Sequence, residues 1–248
     1  MWKKLKKRDF LGCAITISNQ SFNLVETLLD LSQYFTTLSV KPVRSKDFGI
    51  DISTSNWKNE YWKLVEYIIE EASHNNIDLL LKLLNGDDYF GKFIYRTFLN
   101  QRTVNRCDAL ISRFCVDTDG IIYGCPALSE AKGCSELNNI RSNLEANIKT
   151  CKDCEVFFYC GGECMVEYKL NNCNNLKMCE FKKMLIYYAM YLKVYFINYK
   201  FDLYLKVYSF CQKKSLRFKK NIELYLYLER HKELSFVEGK NQYYISGE

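Results

Sequence analysis

The sequence predicts an α+β protein with a Cys-rich segment between two helical parts. Strand-like apolar runs at 11–17 and 37–41 flank a helical stretch, and amphipathic helical periodicity follows from 57 to 99. Ten of the 12 Cys residues then lie between Cys107 and Cys179, where periodicity breaks down before it returns as helical. We therefore expect helices and strands in separate groups, with loops and a hairpin around the cysteines.

The first group is a predicted strand–helix–strand unit. Residues 23–26 (NLVE) have the form of a capping box, and helical spacing follows at Leu24, Leu28, Leu31 and Phe35. Strands joined by a crossover helix are parallel, with a right-handed connection. Because two parallel strands alone make no stable sheet, the pattern indicates an incomplete α/β unit.

Further helices are predicted on both sides of the Cys-rich segment. Residues 44–56 are polar and predict a loop, and the helix after it, 57–73, turns inward Trp57, Tyr61, Leu64, Val65, Ile68 and Ile69. Shorter helices are predicted at 77–84 and 88–99. Helical periodicity then runs from Phe181 through Tyr208, and a second helix is predicted at about 216–233.

The charge of the chain is moderate and uneven. The net charge is +6, and residues 177–248 carry 14 Lys and Arg against 7 Asp and Glu, interleaved with aromatic residues. This pattern suits a single-stranded nucleic acid or an aromatic helix core with a solvated basic face, and we favour the second. With only two His, His74 and His231, neither a His-based metal site nor a His-rich catalytic centre is expected.

The sequence predicts no secretion signal and no membrane span. Asp9 interrupts the basic start, and no apolar stretch of about 7–15 residues precedes Cys13. The stretch Met184–Phe210 is broken by charges, whereas a span needs about 20 consecutive apolar residues. We therefore expect a cytoplasmic protein, in which clustered cysteines bind metal more often than they form disulfides.

The cysteines form an ordered pattern. Its core is C-x2-C-x5-C-x3-C, made by Cys151, Cys154, Cys160 and Cys164. Upstream, Cys107 is followed by twelve residues, Gly120, four residues and Cys125; Cys173 and Cys179 lie downstream. A two-residue gap lets two thiolates bind one metal centre, while backbone N–H groups of the turn point at the sulfurs and tune it.

Two local features fit a bulky inorganic centre. Gly161 and Gly162 separate two cysteines and allow the backbone to approach closely. Residues 116–123 predict a hairpin, whose Asp119-Gly120 turn places Cys115 near Cys125.

Three interpretations of the cysteines compete. A disulfide scaffold is disfavoured because no secretion signal is expected. Structural zinc in four-cysteine sites is the second, but zinc ribbons usually have paired C-x2-C knuckles and this chain has one. Two iron–sulfur clusters are the interpretation that we favour.

The complete order of these residues resembles the SPASM domain. That domain follows the catalytic barrel of many radical S-adenosylmethionine enzymes that modify ribosomally made peptides. The resemblance covers 107–179 directly, and the unit at 11–41 is similar to the end of the family's partial barrel. It implies four parts: a barrel remnant (1–50), a helical linker (51–100), an iron–sulfur domain (101–182) and a C-terminal helical extension (183–248).

The resemblance also implies two [4Fe–4S] clusters and their ligands. Cys151, Cys154 and Cys160 would hold one cluster together with Cys179, preferred over Cys173 because a helix follows it directly. Cys164 would join Cys107 and Cys125 at the other cluster, whose fourth ligand is Cys115, Cys134 or absent. Cys13 and Cys211 lie outside the pattern and are expected to be buried thiols.

One departure from the family decides the expected function. The radical reaction requires C-x3-C-x2-C, but the only C-x3-C here, Cys160 and Cys164, continues to Glu167. We therefore expect the C-terminal portion of such an enzyme, from a split, truncated or partial gene, not catalytic alone. Its expected role is to bind clusters, contact a peptide or protein substrate and pass electrons. S-adenosylmethionine would act only with a complementary barrel, and the alternatives are a zinc-stabilised binding module and an inactive remnant.

Overall fold

The chain folds into helices and short strands, as the α+β prediction expects. The computed structural model describes residues 11–17, 22–42, 55–86, 88–103, 115–116, 118, 120, 122–123, 149, 151, 153–162, 176–214, 236–239 and 242–245. The elements before the Cys-rich segment are β1 (Gly12–Ile17), α1 (Leu24–Ser32), β2 (Thr37–Pro42), α2 (Ser55–Ser73), α3 (Asp78–Asn85) and α4 (Tyr89–Phe98). Those after them are β3 (Cys115–Val116), β4 (Ile122–Tyr123), α5 (Phe157–Cys160), α6 (Leu176–Tyr199), α7 (201–214), β5 (Phe236–Gly239) and β6 (Gln242–Ile245).

These elements belong to two compact units. The first comprises the chain up to Arg102 together with Phe158–Cys160 and Leu176–Gln212. The second comprises Thr103–Phe157, Gly161–Asn175 and the chain from Lys213 onward. Within the described ranges, no helix is both long and apolar enough to cross a membrane.

The strand–helix–strand prediction is confirmed. β1 and β2 pair in parallel, from Gly12 opposite Thr37 to Ile17 opposite Pro42. Asn23 caps α1, since its side chain accepts a hydrogen bond from the Glu26 backbone N–H at 3.1 Å. That Asn23 amide also donates to the Glu26 carboxylate at 3.0 Å, which completes the cap through side chains. The described sheet has these two strands, so its origin as the end of a barrel stays a prediction.

The core of the first unit forms around the inward face of α2. Five of the six predicted inward residues are buried, namely Trp57, Tyr61, Leu64, Val65 and Ile68. Ile69, the sixth, lies at the edge of that face and is only half-buried. Burial and the nearby Asp88 carboxylate raise the pKa of Tyr61 well above its usual value.

Glu60 is a buried carboxylate that joins two helices. Its side chain on α2 is 5% exposed, and one oxygen accepts a hydrogen bond from the Leu24 backbone N–H at 2.8 Å. The other oxygen accepts from the Lys63 ammonium group at 2.7 Å. Leu24 is the first residue of α1, where the helix dipole favours a negative charge. Glu60 therefore fixes the start of α1 against α2.

Three lysines donate hydrogen bonds to the C-terminal ends of other helices. Lys82 contacts the Ser32 carbonyl at 2.5 Å, Lys200 the Ser73 carbonyl at 3.0 Å, and Lys193 the Thr97 carbonyl at 2.9 Å. These carbonyls end or nearly end α1, α2 and α4, where backbone oxygens lack the helical N–H donor four residues on and the dipole favours a cation. Part of the basic face that the sequence predicts as solvated is therefore engaged within the protein.

Lys193 provides a test of this arrangement. Its ammonium group also contacts Asn100 Oδ1 at 2.7 Å, and partial burial lowers its pKa. Replacing Lys193 with Met is expected to lower the free energy of unfolding by about 1–2 kcal/mol, because two acceptors lose a charged donor. The matched control is Lys206→Met, at an exposed position of α7, with an expected change below about 0.5 kcal/mol. Urea unfolding measures both, and equal effects would contradict the role of Lys193.

The structure differs from the sequence prediction at several boundaries. α2 begins at Ser55, inside the predicted loop at 44–56, and the predicted helix at 216–233 lies outside the described residues. The antiparallel hairpin of β5 and β6, which pairs Phe236 with Ile245, was not predicted from the sequence. The available signal was two short runs of strand-forming residues, FV and YYI, on either side of Gly239 and Asn241. The C-terminal part is therefore helical to 214, and its residues 236–239 and 242–245 are strands.

Candidate metal centre

The first two cysteines of the core pattern are joined by a backbone turn. The Cys154 N–H donates to the Cys151 carbonyl at 3.0 Å, and the Phe157 N–H donates to the Cys154 carbonyl at 3.0 Å. Cys151 and Cys154 are both half-buried and form no disulfide. The C-x2-C spacing therefore produces the local turn that it predicts, with both thiols partly accessible.

Cys160 ends a single helical turn that two glycines terminate. α5 covers Phe157–Cys160, and the Gly161 N–H donates to the Phe157 carbonyl at 2.7 Å. Gly161 and Gly162 have φ angles of +76° and +84°, in the left-handed region that other residues adopt only with strain. Two successive left-handed residues directly after Cys160 therefore explain why glycine occupies both positions.

Arg96 holds the segment that carries Cys160. This α4 residue is only 6% exposed, and its guanidinium donates to the Tyr159 carbonyl at 2.8 Å and the Cys160 carbonyl at 3.1 Å. Arg102 lies 5.5 Å from the centre of the Phe158 ring, in cation–π geometry. Two arginines therefore position the three residues 158–160 within the first unit.

Cys179 lies near the start of α6. It is half-buried, whereas Met178 before it and Phe181 after it are 3% exposed each. The Phe181 ring centre lies 5.4 Å from that of Trp57 and 5.7 Å from that of Tyr61. The sequence predicted a helix that begins after Cys179, but α6 begins at Leu176, so Cys179 lies in the first turn of the helix rather than before it.

The predicted hairpin at 116–123 is confirmed in part. β3 and β4 pair antiparallel, with Cys115 opposite Tyr123 and Val116 opposite Ile122. Gly120 has a φ of +79°, which suits the turn between the strands. Cys125, which the hairpin was expected to bring near Cys115, lies outside the described residues.

The two cysteines outside the pattern differ from each other. Cys211 is fully buried in α7, as expected for a core thiol, whereas Cys13 in β1 is half-buried. Partial burial raises the pKa of the Cys13 thiol, which disfavours the thiolate that binds metal.

The described residues contain only part of the candidate ligand set. They include Cys151, Cys154, Cys160 and Cys179, and for Cys115 the backbone of β3. Within them, no three His, Cys, Asp or Glu side chains are close enough to hold a metal ion. The other predicted or alternative ligands lie outside the described residues, namely Cys107, Cys125, Cys134, Cys164 and Cys173. The described candidate ligands Cys151, Cys154, Cys160 and Cys179 are half-buried thiols. Thiolates are the soft ligands that iron–sulfur clusters and zinc require, so these residues suit either centre chemically.

Arg96 and Arg102 were not predicted from the sequence to belong to this region. Arg96 contacts Tyr159, which lies 63 residues later in the sequence, and no local sequence pattern predicts a contact over that separation. The only available signal was an arginine in an aromatic-rich helix, FGKFIYRTF. A buried guanidinium requires acceptors, which here are backbone carbonyls.

Comparison of the chain with protein-family models, curated proteins and solved structures gives no significant match.

Proposed function

We propose that this chain is an auxiliary iron–sulfur module of a peptide- or protein-modifying system. In this proposal the Cys-rich segment binds two [4Fe–4S] clusters, contacts a peptide or protein substrate and passes electrons. The ligands would be Cys151, Cys154, Cys160 and Cys179 for one cluster, and Cys107, Cys125 and Cys164 with Cys115 or Cys134, or no fourth cysteine, for the other. A complementary barrel protein is the proposed partner for any radical chemistry.

One observation carries the proposal, namely the run of four cysteines within residues 151–164. Each [4Fe–4S] cluster takes up to four thiolates, so a long ordered set of cysteines is the pattern that two clusters require. The local structure supports it in two ways. Cys151 and Cys154 share a turn, and the carbonyl of Cys160 is fixed by the Arg96 guanidinium.

The positive charge of Arg96 would also suit a negatively charged cluster beside residues 159 and 160. Clusters bound by four thiolates carry net negative charge, and hydrogen bonds and nearby cations tune their reduction potentials. Because Arg96 donates to the backbone of residues 159 and 160, its charge lies near the segment that a cluster would occupy. In the proposal, Arg96 orients Cys160 by binding its backbone carbonyl, and it does not need to contact the thiol.

Metal content is the direct test of the proposal. Anaerobic reconstitution with iron and sulfide is expected to give about eight irons and eight sulfides per chain, with broad visible absorbance. A zinc-stabilised binding module is the competing outcome, because a four-cysteine site also suits tetrahedral zinc. Well-reconstituted protein that holds zinc and fewer than about two irons would contradict the cluster proposal.

Replacing Cys154 with Ala is expected to halve the iron content, from about eight to about four per chain. Loss of that cluster should also make the 151–179 segment easier to cleave by protease, because metal binding and folding are coupled in loop-rich segments. The control is Cys211→Ala, at a buried position of α7 outside the pattern, and its iron content should not change. Equal iron loss in both variants would contradict the ligand assignment.

The chain alone is expected to produce no 5′-deoxyadenosine. Cleavage of S-adenosylmethionine needs an iron with an open position that three closely spaced thiolates hold, and C-x3-C-x2-C is absent from the sequence. The measurement is the product formed by reduced, reconstituted protein compared with an iron-free sample. Product above that background would show that the chain is itself a complete radical enzyme.

A further inference from the structure

Helices α2 and α6 lie side by side and run in the same direction. The Tyr188 hydroxyl donates to the Lys58 carbonyl at 3.4 Å, and the ammonium group of Lys200, just after α6, donates to the Ser73 carbonyl at 3.0 Å. The two pairs are separated by 130 and 127 residues in the sequence, so the offset between the helices is almost constant. A residue of α2 therefore lies level with a residue of α6 that follows it by 127 to 130 positions.

An aromatic patch lies along the contact between these helices. The centre of the Trp62 ring on α2 lies 5.2 Å from that of Tyr188 and 5.4 Å from that of Tyr191. Tyr195 follows Tyr188 by about two helical turns and therefore lies on the same side of α6. Tyr191 is 48% exposed and the other three rings belong to half-buried residues, so the patch is accessible from solvent.

A carboxylate lies at the edge of the aromatic patch. One oxygen of Glu66, one turn after Trp62 on α2, accepts a hydrogen bond from the Trp62 indole N–H at 2.7 Å. Glu66 is exposed, and within the part of the chain that the structure describes it forms no ion pair. The offset between the helices places it level with Tyr195. We call Trp62, Glu66, Tyr191 and Tyr195 the aromatic–acidic site.

The part of α2 that follows Trp62 is negatively charged. Its charged residues are Lys63, Glu66, Glu70 and Glu71. The ammonium group of Lys63 binds the Glu60 carboxylate at 2.7 Å, so its charge is already compensated. The C-terminal end of a helix also carries a partial negative charge from the backbone dipoles. This part of the surface therefore attracts a cation, although the chain as a whole is basic.

The lysines near the aromatic–acidic site do not reverse this attraction. Lys193 and Lys200 donate to backbone carbonyls near the C-terminal ends of α4 and α2. Lys58 is exposed, but it lies one turn before Trp62, at the end of the patch away from Glu66. The region between Trp62 and Tyr195 is thus the part of the patch that suits a positive group.

An arginine side chain matches this combination of rings and carboxylate. Its guanidinium is planar, so it can stack on an aromatic ring while two of its N–H groups bind a carboxylate as a fork. Tryptophan and tyrosine rings attract cations through their faces. A single-stranded nucleic acid would instead need cations beside the rings to neutralise its phosphates, and Glu66 would repel it.

We propose that the aromatic–acidic site binds an arginine side chain of an extended peptide segment. The guanidinium lies over the exposed ring of Tyr191 and binds Glu66. Glu70 is exposed and follows Glu66 by one turn, about 6 Å along the helix, and alternate side chains of an extended peptide lie about 6.6 Å apart. An Arg-x-Arg segment therefore brings its second guanidinium to Glu70. This inference concerns peptide binding and does not rest on the cluster proposal.

The binding of synthetic peptides to the full wild-type chain tests this proposal. The probe is a fluorescein-labelled nonapeptide with Arg-Ser-Arg at its centre and Gly and Ser elsewhere, and fluorescence anisotropy measures its Kd, which we expect to be about 100 μM. The matched control peptide has citrulline in place of both arginines, which keeps the shape of the side chain but removes its charge. It should bind at least about tenfold more weakly, and a Lys-Ser-Lys peptide about threefold more weakly, because an ammonium group lacks the planar fork.

Variants of the protein locate the binding. Glu66→Gln should weaken binding of the Arg-Ser-Arg peptide about fivefold, and Tyr191→Leu about threefold. The matched controls are Asp30→Asn, at an exposed position of α1, and Tyr34→Leu, at a position that is 38% exposed. They remove the same charge or the same kind of ring elsewhere in the first unit, so the Kd should not change. Circular dichroism checks that each variant is folded.

Several results would overturn the proposal. The first is equal binding of the arginine and citrulline peptides, or no binding at about 1 mM, and this comparison uses the wild-type chain, so it does not depend on the folding of any variant. Equal losses in Glu66→Gln and Asp30→Asn would show that overall charge attracts the peptide. Tighter binding of a single-stranded oligonucleotide, lost in Tyr191→Leu, would assign the patch to nucleic acid instead. Iron content is measured separately on the same samples, so failure of peptide binding and failure of the cluster proposal are distinguishable.

Discussion

Replacing Gly86 with Ala is expected to lower the free energy of unfolding of the first unit by about 3 kcal/mol, the upper part of the range for overpacking. A Cβ atom at this position would lie 1.9 Å from the Leu38 carbonyl oxygen and 2.8 Å from the Leu38 carbonyl carbon. Both atoms belong to the backbone, so no side-chain rotation relieves the clash. Gly86 has φ −66° and ψ 164°, which any residue adopts, so the expected effect is steric.

The surroundings of Leu38 explain why the backbone cannot yield cheaply. Leu38 lies in β2 opposite Cys13 of β1, and its side chain is fully buried. Two residues on, the Val40 N–H donates to the Asp88 carboxylate at 3.4 Å, which ties β2 to the start of α4. Moving β2 away from Gly86 would disturb the sheet pairing and this contact together.

Gly12→Ala is the matched control in the same unit. Its Cβ would lie 2.5 Å from Thr37 Oγ1, the end of a side chain that can rotate away. The expected loss is therefore below about 1 kcal/mol. Thermal and urea unfolding measure both variants, and a Gly86→Ala protein as stable as Gly12→Ala would contradict the close packing of β2 on the end of α3.

Replacing Phe181 with Ala is expected to lower the free energy of unfolding by about 3–5 kcal/mol. Its ring lies edge-on to three others, with centre distances of 5.4 Å to Trp57, 5.7 Å to Tyr61 and 6.4 Å to Tyr89. Truncation would leave a cavity between α2, α4 and α6 and would remove three favourable aromatic contacts. Phe181 lies two residues after Cys179, so the same change is expected to loosen the start of α6.

Tyr199→Ala is the matched control on the same helix. Tyr199 is 72% exposed and has a ring contact with Tyr195, so truncation should cost less than about 1 kcal/mol. Urea unfolding measures the free energy of unfolding of both variants. Similar losses in the two variants would show that Phe181 does not form the centre of the aromatic core.

Periodicity along the chain determined most of the helices and the parallel strand pair. In α2 the apolar residues recur every three or four positions, so the inward face was readable before any contact was known. The Asn23 cap and the Gly120 turn were also readable, because both depend on residues within a few positions of each other. β5 and β6 were missed, although the signal was local, because each strand has only four residues.

The cysteine pattern could likewise be recognised from the sequence alone. Spacing identified the C-x2-C-x5-C run of Cys151, Cys154 and Cys160, and the resemblance to the SPASM domain implied Cys179 as the fourth ligand. The structure adds the turns and the helix in which these cysteines lie. That Arg96 fixes the carbonyl of Cys160 depends on the packing of α4 against a segment more than sixty residues away. No sequence rule links two positions so far apart.

Tertiary structure also decided what the basic and aromatic residues of α6 and α7 do. The sequence showed that lysines and aromatic residues alternate there, but it did not show which side of the helix would face the core. Burial of Phe196 and Leu203 fixed that rotation and brought Lys193 to the carbonyls at the end of α4. The same rotation left Val194 and Phe201 exposed. Because a helix that is apolar on two sides can bury either one, only its packing against the other helices determines which side remains exposed.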